Sequence, residues 1–261
     1  MNLPMRGLIT AIRTLTAIPV GGRDTEHFSD SLLWFPPVGM LLGTLLWATG
    51  WAWNRAVGTG WPGGGAIILL VAEILLTRAL HLDGLADWAD AVGGSRDREG
   101  RLRIMRDPHL GSFGVVALVT DLLAKWVVMR YLLLGGGLSC IVPVFIVSRA
   151  MMAALMVRLP YARSGEGMAS PFLEGISRGQ GIAIPVLSFC LCLFFGPPGI
   201  VLYLAGWITA GLLGLSFKRT FGGITGDLLG TTNEVVETIL LWLCALGGNL
   251  LLAYRGWGWL W

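Results

Sequence analysis

The chain has 261 residues, of which 54% are hydrophobic and 13% charged, with twelve Trp and a mean hydropathy of +0.70. An average soluble domain carries about 25% charged residues, so these values exclude a disordered chain, a fibrous protein and an ordinary cytosolic enzyme. The net charge of +3 combines seventeen Arg with two Lys; with no dense basic stripe outside one Arg-rich loop, it argues against a nucleic-acid partner.

A bilayer-spanning helix needs about 20 mostly apolar residues. Residues 1–20 read instead as an amphipathic interfacial helix, with Arg6 and Arg13 one heptad apart and no Ala-x-Ala cleavage site after an apolar run. Spans are expected at 32–53, 64–80, 112–134, 138–157, 181–195, 199–217 and 235–254. The stretch 181–195 is short and runs into Gly196-Pro197-Pro198-Gly199, so a re-entrant hairpin competes there. The fold class expected is therefore all-α: a polytopic membrane bundle of about seven spans plus the interfacial helix, in one domain covering 1–261. Cys140, Cys190, Cys192 and Cys244 lie in apolar runs without metal-ligand spacing, so no disulfide is implied.

Between the second and third spans lies His81-Leu-Asp-Gly-Leu-Ala-Asp-Trp-Ala-Asp90. At 100° per residue Asp83, Asp87 and Asp90 share one helical stripe. Three stacked carboxylates repel unless a cation or several Arg neutralise them, and hard oxygen ligands suit Mg²⁺, or Mn²⁺ in its place. Gly84 leaves room for a large group at the backbone. Next, Arg96, Arg98, Arg101, Arg103 and Arg106 crowd into eleven positions. That composition serves either as a topogenic signal or to bind phosphate. Arg106-Asp107-Pro108-His109-Leu110-Gly111 abuts the next span, with Gly111 and Gly114 placed to admit a ligand near the backbone. His109 is either a general base or an ordinary hydrogen-bonding residue.

Four basic residues fall inside spans: Arg78, Lys125, Arg130 and Arg149. Arg78 is close enough to a loop to snorkel. Lys125 and Arg149 are deeper, and burial at that depth calls for a carboxylate partner, with Asp121 and Glu73 the candidates. The second acidic stretch, Gly226-Asp-Leu-Leu-Gly-Thr-Thr-Asn-Glu-Val-Val-Glu237, puts Asp227 and Glu234 on one face with Thr231 between them. It either favours a helix start through the dipole or joins the first stripe to hold one or two divalent ions.

The loops settle an expected orientation. Thirteen Arg and Lys lie in 1–31, 81–111, 158–180 and 218–234, against Arg55 and Arg255 in the alternate set. The positive-inside rule makes the first set cytoplasmic. Trp51, Trp53, Trp61, Trp257, Trp259 and Trp261 would form an aromatic belt at the other face.

Several strings in order resemble the cobalamin synthase family (adenosylcobinamide-GDP ribazoletransferase). They are Arg13-x5-Pro19, Phe35-Pro36-x2-Gly39, the His81–Asp90 string, Ile104-Met105-Arg106-Asp107-x2-Leu110-Gly111-x2-Gly114, Ser148-Arg149, Tyr161-Ala162-Arg163, and Lys218-Arg219-x3-Gly223-x2-Gly226-Asp227-x2-Gly230-x3-Glu234-x2-Glu237. Trp88 and Ala91 depart from the usual pattern without touching a proposed ligand. The resemblance implies a Mg²⁺-dependent transferase of late vitamin B12 biosynthesis. It would join adenosylcobinamide-GDP to α-ribazole or its 5′-phosphate and release GMP, in the bacterial inner membrane with the site facing the cytoplasm. On this reading Asp83, Asp87 and Asp90 serve metal or catalysis, with His109 a further catalytic candidate. Asp227 and Glu234 serve a second metal, and Arg106, Asp107, Arg149, Arg163, Lys218 and Arg219 the phosphates; His81, Gly84 and Glu237 complete the site. Other enzymes of nucleotide-loop assembly are candidate partners. Two alternatives stand beside it. A CDP-alcohol phosphotransferase would need an Arg soon after the Asp-Gly pair, which 89–94 lacks. A secondary transporter would want its ionisable groups at the midplane.

Overall fold

The structure, a computed structural model, describes residues 3–163 and 167–252, with side chains described between Met5 and Gly247 within those limits. The described residues form helices and one isolated backbone bridge, between Tyr161 and Ile224. Among the described residues, five helical stretches are long and apolar enough to cross a membrane: Phe28–Ala56, Ser112–Gly135, Leu138–Arg158, Gly196–Thr220 and Gly226–Gly247. A sixth is a bent pair, and the seventh apolar stretch is the short helix Gln180–Leu193. Each of the seven expected stretches is thus mostly helical within its described residues, and the chain is a multi-pass membrane protein.

The first helix, α1 (Leu3–Leu15), is amphipathic and buries one face. Ile9, Ala11 and Leu15 are buried, and the helix packs on the 3-10 turn Phe28–Trp34 and on α2 (Phe35–Ala56). Its two Arg are anchored by their own loop: Arg6 pairs with Glu26 and Arg13 with Asp24. Trp51 at the far end of α2 and Trp61 in the next loop are exposed, as a belt requires. Trp257, Trp259, Trp261 and Arg255 lie outside the described residues.

The expected span 64–80 breaks. Helix α3 (Pro62–Thr77) ends at Arg78 and Ala79, both with φ of 55°. Non-glycine residues in the left-handed region cost on the order of 1–3 kcal/mol each, so the surroundings must hold them there. The end of α1 does this: Arg78 donates to the carbonyls of Arg13 and Thr16, and the Ala17 N–H donates to the Leu76 carbonyl at 2.6 Å. The chain then turns by 91° into α4 (Leu80–Gly94), which runs across the end of the bundle. A short α5 (Arg98–Ile104) follows, its first turn capped by Asp97, which accepts from the Gly100 N–H at 2.7 Å.

The axis of the bundle is α7 (Ile141–Arg158), buried at every position from Ile141 to Met156. Around it stand α2, α9 (Gln180–Leu193), α10 (Gly196–Thr220) and α11 (Gly226–Leu252), with α6 (Ser112–Gly135) on the α3, α4 and α11 side. A four-residue turn, α8 (Ser170–Leu173), covers the end of α2 through Phe172. Outward faces are apolar stripes, as lipid contact demands: Val201, Leu204, Ile208, Leu212 and Leu215 on α10 are all exposed. The last helix begins at Gly226 rather than near residue 235. The loop expected at 218–234 is therefore only the connection 221–225, and the second acidic stretch is helical throughout.

Candidate active site at the end of the bundle

Helix α4 carries the first acidic stripe and crosses the start of α11. Gly84 is the point of closest approach: a Cβ there would meet the Asp227 carbonyl oxygen at 2.5 Å. The group that uses the space beside Gly84 is therefore the backbone of α11, which corrects its expected role as an opening for a ligand. The Thr231 hydroxyl donates to the Gly84 carbonyl at 3.0 Å, across the same crossing. This contact sets Asp83 and Asp87 beside Asp227.

The three carboxylates differ in surroundings. Asp83 is exposed, and Asp87 and Asp227 are half-buried. The Asp87 carboxyl is raised to about 7, first by burial and then by the negative charges of Asp227 and Asp83, with Arg163 offsetting part of this. Arg163 is the positive partner here. Its Nη2 bonds the Asp227 carboxylate at 2.7 Å and the Met105 carbonyl at 3.2 Å. The segment holding it is pinned by the Tyr161–Ile224 bridge, where the Ala162 N–H donates to the Ile224 carbonyl and the Ile224 N–H to the Pro160 carbonyl. Arg98, read above with the Arg run, donates to the Ala162 carbonyl at 2.9 Å and so braces the same segment. No spacing rule could have revealed that contact.

Asp90 lies on the stripe but faces other partners. Its two oxygens accept from the Gly111 and Gly114 N–H groups at 2.7 and 2.8 Å, capping the start of α6. The two glycines thus admit the Asp90 carboxylate, not a ligand, to the backbone. Arg106 is exposed, and its side chain makes no hydrogen bond or ion pair among the described residues. Asp107 and His109 are exposed and bond each other at 2.6 Å, which holds the Asp107 carboxyl below its ordinary range. Lys218 and Arg219 are exposed in the last turn of α10.

Glu234, Glu237 and Arg149 sit deeper, in an internal ion network. Lys125 Nζ lies 2.6 Å from Glu73, 2.6 Å from Glu234, 3.0 Å from Glu237 and 3.9 Å from Asp121. Arg149, fully buried, pairs with Glu237. The expected pairing of Lys125 with Glu73 and Asp121 is met. Glu234, in contrast, is engaged by Lys125 instead of joining Asp227, and Arg149 is directed at Glu237 instead of at an exposed phosphate site. The reason is the early start of α11: at 100° per residue Glu234 shares a face with Asp227, but it lies two turns further into the apolar layer. Among the described residues, Glu73, Glu234 and Glu237 are the acidic groups whose oxygens gather within 4.8 Å of one another. Lys125 already supplies the positive charge between them.

Asp83, Asp87 and Asp227 form a looser set at the accessible end. The donors are all carboxylate oxygens with surplus negative charge, which fits Mg²⁺ held through a few protein oxygens while water and phosphate oxygens complete its shell.

Residues 7–245 match the family model described as cobalamin-5-phosphate synthase. Curated relatives carry the name adenosylcobinamide-GDP ribazoletransferase. One from Chlorobaculum parvum is 40% identical over 251 residues, covering 93% of this chain and 96% of its own. One from Chlorobium phaeobacteroides is 43% identical over 244 residues, covering 92% and 96%. A more distant one from Ralstonia pickettii is 35% identical over 243 residues, covering 91% and 94%. No solved structure matches the chain. With nearly its whole length matched, acidic stripe and Arg163 segment included, the chain belongs to the cobalamin-5-phosphate synthase family.

Proposed function

We propose that this chain is an adenosylcobinamide-GDP ribazoletransferase that uses Mg²⁺, or Mn²⁺ in its place, at the Asp83–Asp87–Asp227 cluster. The observation that carries the reading is the meeting of two acidic helix segments beside a braced Arg163, at the end of a membrane bundle. The hydroxyl of α-ribazole, or of its 5′-phosphate, forms a bond to the phosphorus nearest the cobinamide arm. The bond from that phosphorus to the bridging oxygen breaks, and GMP leaves with the electron pair. A divalent ion would supply neutralisation of the pyrophosphate charge, the main requirement of phosphoryl transfer.

The chain's own residues do the rest. Asp83, Asp87 and Asp227 would hold the ion. Asp87, poised near neutrality, accepts the hydroxyl proton more readily than Asp90, whose oxygens are committed to α6. Arg163 keeps Asp227 in place and presents its remaining N–H groups; Arg106, Lys218 and Arg219 add positive charge for phosphate oxygens. The Arg-rich loops support an orientation with this end on the cytoplasmic side of a bacterial inner membrane, where nucleotide precursors are made. The test is direct: purified protein in detergent, given adenosylcobinamide-GDP and α-ribazole, releases GMP only with a divalent ion present. GMP release without the ribazole, or none with it, overturns the reading.

A further inference from the structure

The Lys125 network has no place in the chemistry above, yet it is among the most expensive features of the bundle. Burying an ion costs several kcal/mol unless it is paired and hydrogen-bonded. Lys125 is 1% exposed and serves carboxylates from two other helices: Glu73 on α3, Glu234 and Glu237 on α11. Lys125 itself is on α6, with Asp121 one turn earlier accepting from Thr238 of α11 at 2.5 Å. Glu237 continues the network into α7 through Arg149 and through Ser148, whose hydroxyl donates to it at 3.1 Å.

These helices are the ones that place the acidic cluster. α3 ends in the Arg78–Ala79 turn that aims α4. α6 begins at the amides held by Asp90 of α4. Asp227 lies in the first turn of α11. The first turn of α4, at His81, lies against the same stretch of α11 that carries Glu234. His81 is 2% exposed, and neither ring nitrogen has a hydrogen-bond partner among the described residues. Gly230 of α11 closes against the His81 backbone, at 3.1 Å from its carbonyl to a Cβ built there. A movement of α11 relative to α3 would therefore carry Asp227 away from Asp83 and Asp87.

We infer that Lys125 is a positioning residue: its ammonium takes the place of a structural cation among Glu73, Glu234 and Glu237 and thereby fixes α11 against the α3–α4 turn. This rests on the transferase reading only for its kinetic arm. Glu234 and Glu237 then belong to the support of the cluster and not to its metal shell.

The test uses the full chain in detergent. Lys125→Met alone leaves uncompensated carboxylates and is expected to unfold. The combined variant Lys125→Met, Glu73→Gln, Glu234→Gln removes them together and leaves Glu237 paired with Arg149. It is expected to purify folded, with kcat for GMP release down about 10²-fold, the cost of a misplacement near 1 Å, and a much smaller change in KM. Spin labels at Val92→Cys on α4 and Trp242→Cys on α11, both exposed sites in a chain otherwise free of Cys, should give a broader distance distribution than in the unmodified network. A folded combined variant with unchanged distances and kcat within about threefold overturns the inference. Should that variant not fold, Glu73→Gln alone, which leaves Lys125 paired with α11, is expected to broaden the distances and lower kcat about tenfold; no change in either overturns it equally. If the wild type releases no GMP, the transferase reading fails while the distance measurement still decides the role of Lys125.

Discussion

Asp83, Asp87 and Asp90 are equally spaced on one stripe, but the structure gives them three different environments. Asp83 is exposed and its side chain makes no hydrogen bond or ion pair among the described residues, so its carboxylate is free to serve as a ligand. Asp83→Asn is expected to lower GMP release by about 10²–10³-fold, the loss of one charge-stabilising element, with the melting temperature unchanged. Activity within about threefold of wild type would remove Asp83 from the site. Asp87 works ionised in either capacity, as ligand or as proton acceptor. Its pKa is raised from 3.8 to about 7, so the proton is bound below that pH and competes with the metal there. kcat/KM is therefore expected to climb about tenfold per pH unit up to roughly 7 and then level off, and added Mg²⁺ should move the inflection to lower pH. A profile flat from pH 5.5 to 8 would show that Asp87 takes no part. Asp90 and Glu234 show the limit of reading residues by periodicity. The repeat of 100° places side chains on a face, but not what stands opposite: for Asp90 the amides of α6, for Glu234 the ammonium of Lys125.

At the scale of the helix, the crossing of α4 over α11 decides where the cluster forms. Gly84 has Asp227 backbone atoms at 2.5 and 2.9 Å from a built Cβ, and backbone cannot rotate away as a side chain can. Gly84→Ala is expected to destabilise by about 1–3 kcal/mol, as overpacking does, and to reduce turnover with it. Thermal unfolding monitored in detergent checks this, and an unchanged melting temperature would mean that the crossing is loose. The sequence makes the apolar stretches, the amphipathic first helix and the acidic stripe legible, because each is a local pattern with a period or a length. It also makes the pairing of Lys125 inside the bundle legible, since an ion at that depth requires a partner. The sharp turn at Arg78 and Ala79 is not legible. Neither residue favours the left-handed region, and what holds them there is the end of α1, some sixty residues earlier in the chain. The same holds for Arg98 and Arg163, whose roles rest on contacts across 64 residues each.

For the whole molecule, the arrangement of charge along the membrane normal ties fold to function. The acidic cluster, the Arg163 segment, α5 and the exposed ends Lys218 and Arg219 are reached by the loops that carry thirteen of the Arg and Lys residues. The opposite end carries exposed Trp51 and Trp61, with Arg55 stacked over the Trp51 ring at 5.3 Å. Basic residues in short loops resist translocation, so the proposed orientation puts the cluster inside the cell. On that proposal nucleotide and corrinoid precursors would be met on the side where they are made. The consequence can be measured in a chain with Cys140, Cys190, Cys192 and Cys244 replaced, three of which are buried. Glu99, in α5, and Gly60, before α3, are both exposed and lie on opposite sides of this arrangement. Glu99→Cys is expected to resist an impermeant thiol reagent added to intact cells and to react once the cells are opened. Gly60→Cys is expected to react in both. The reverse order would invert the topology, place the cluster outside, and require the nucleotide-bearing substrate to be exported before it could react.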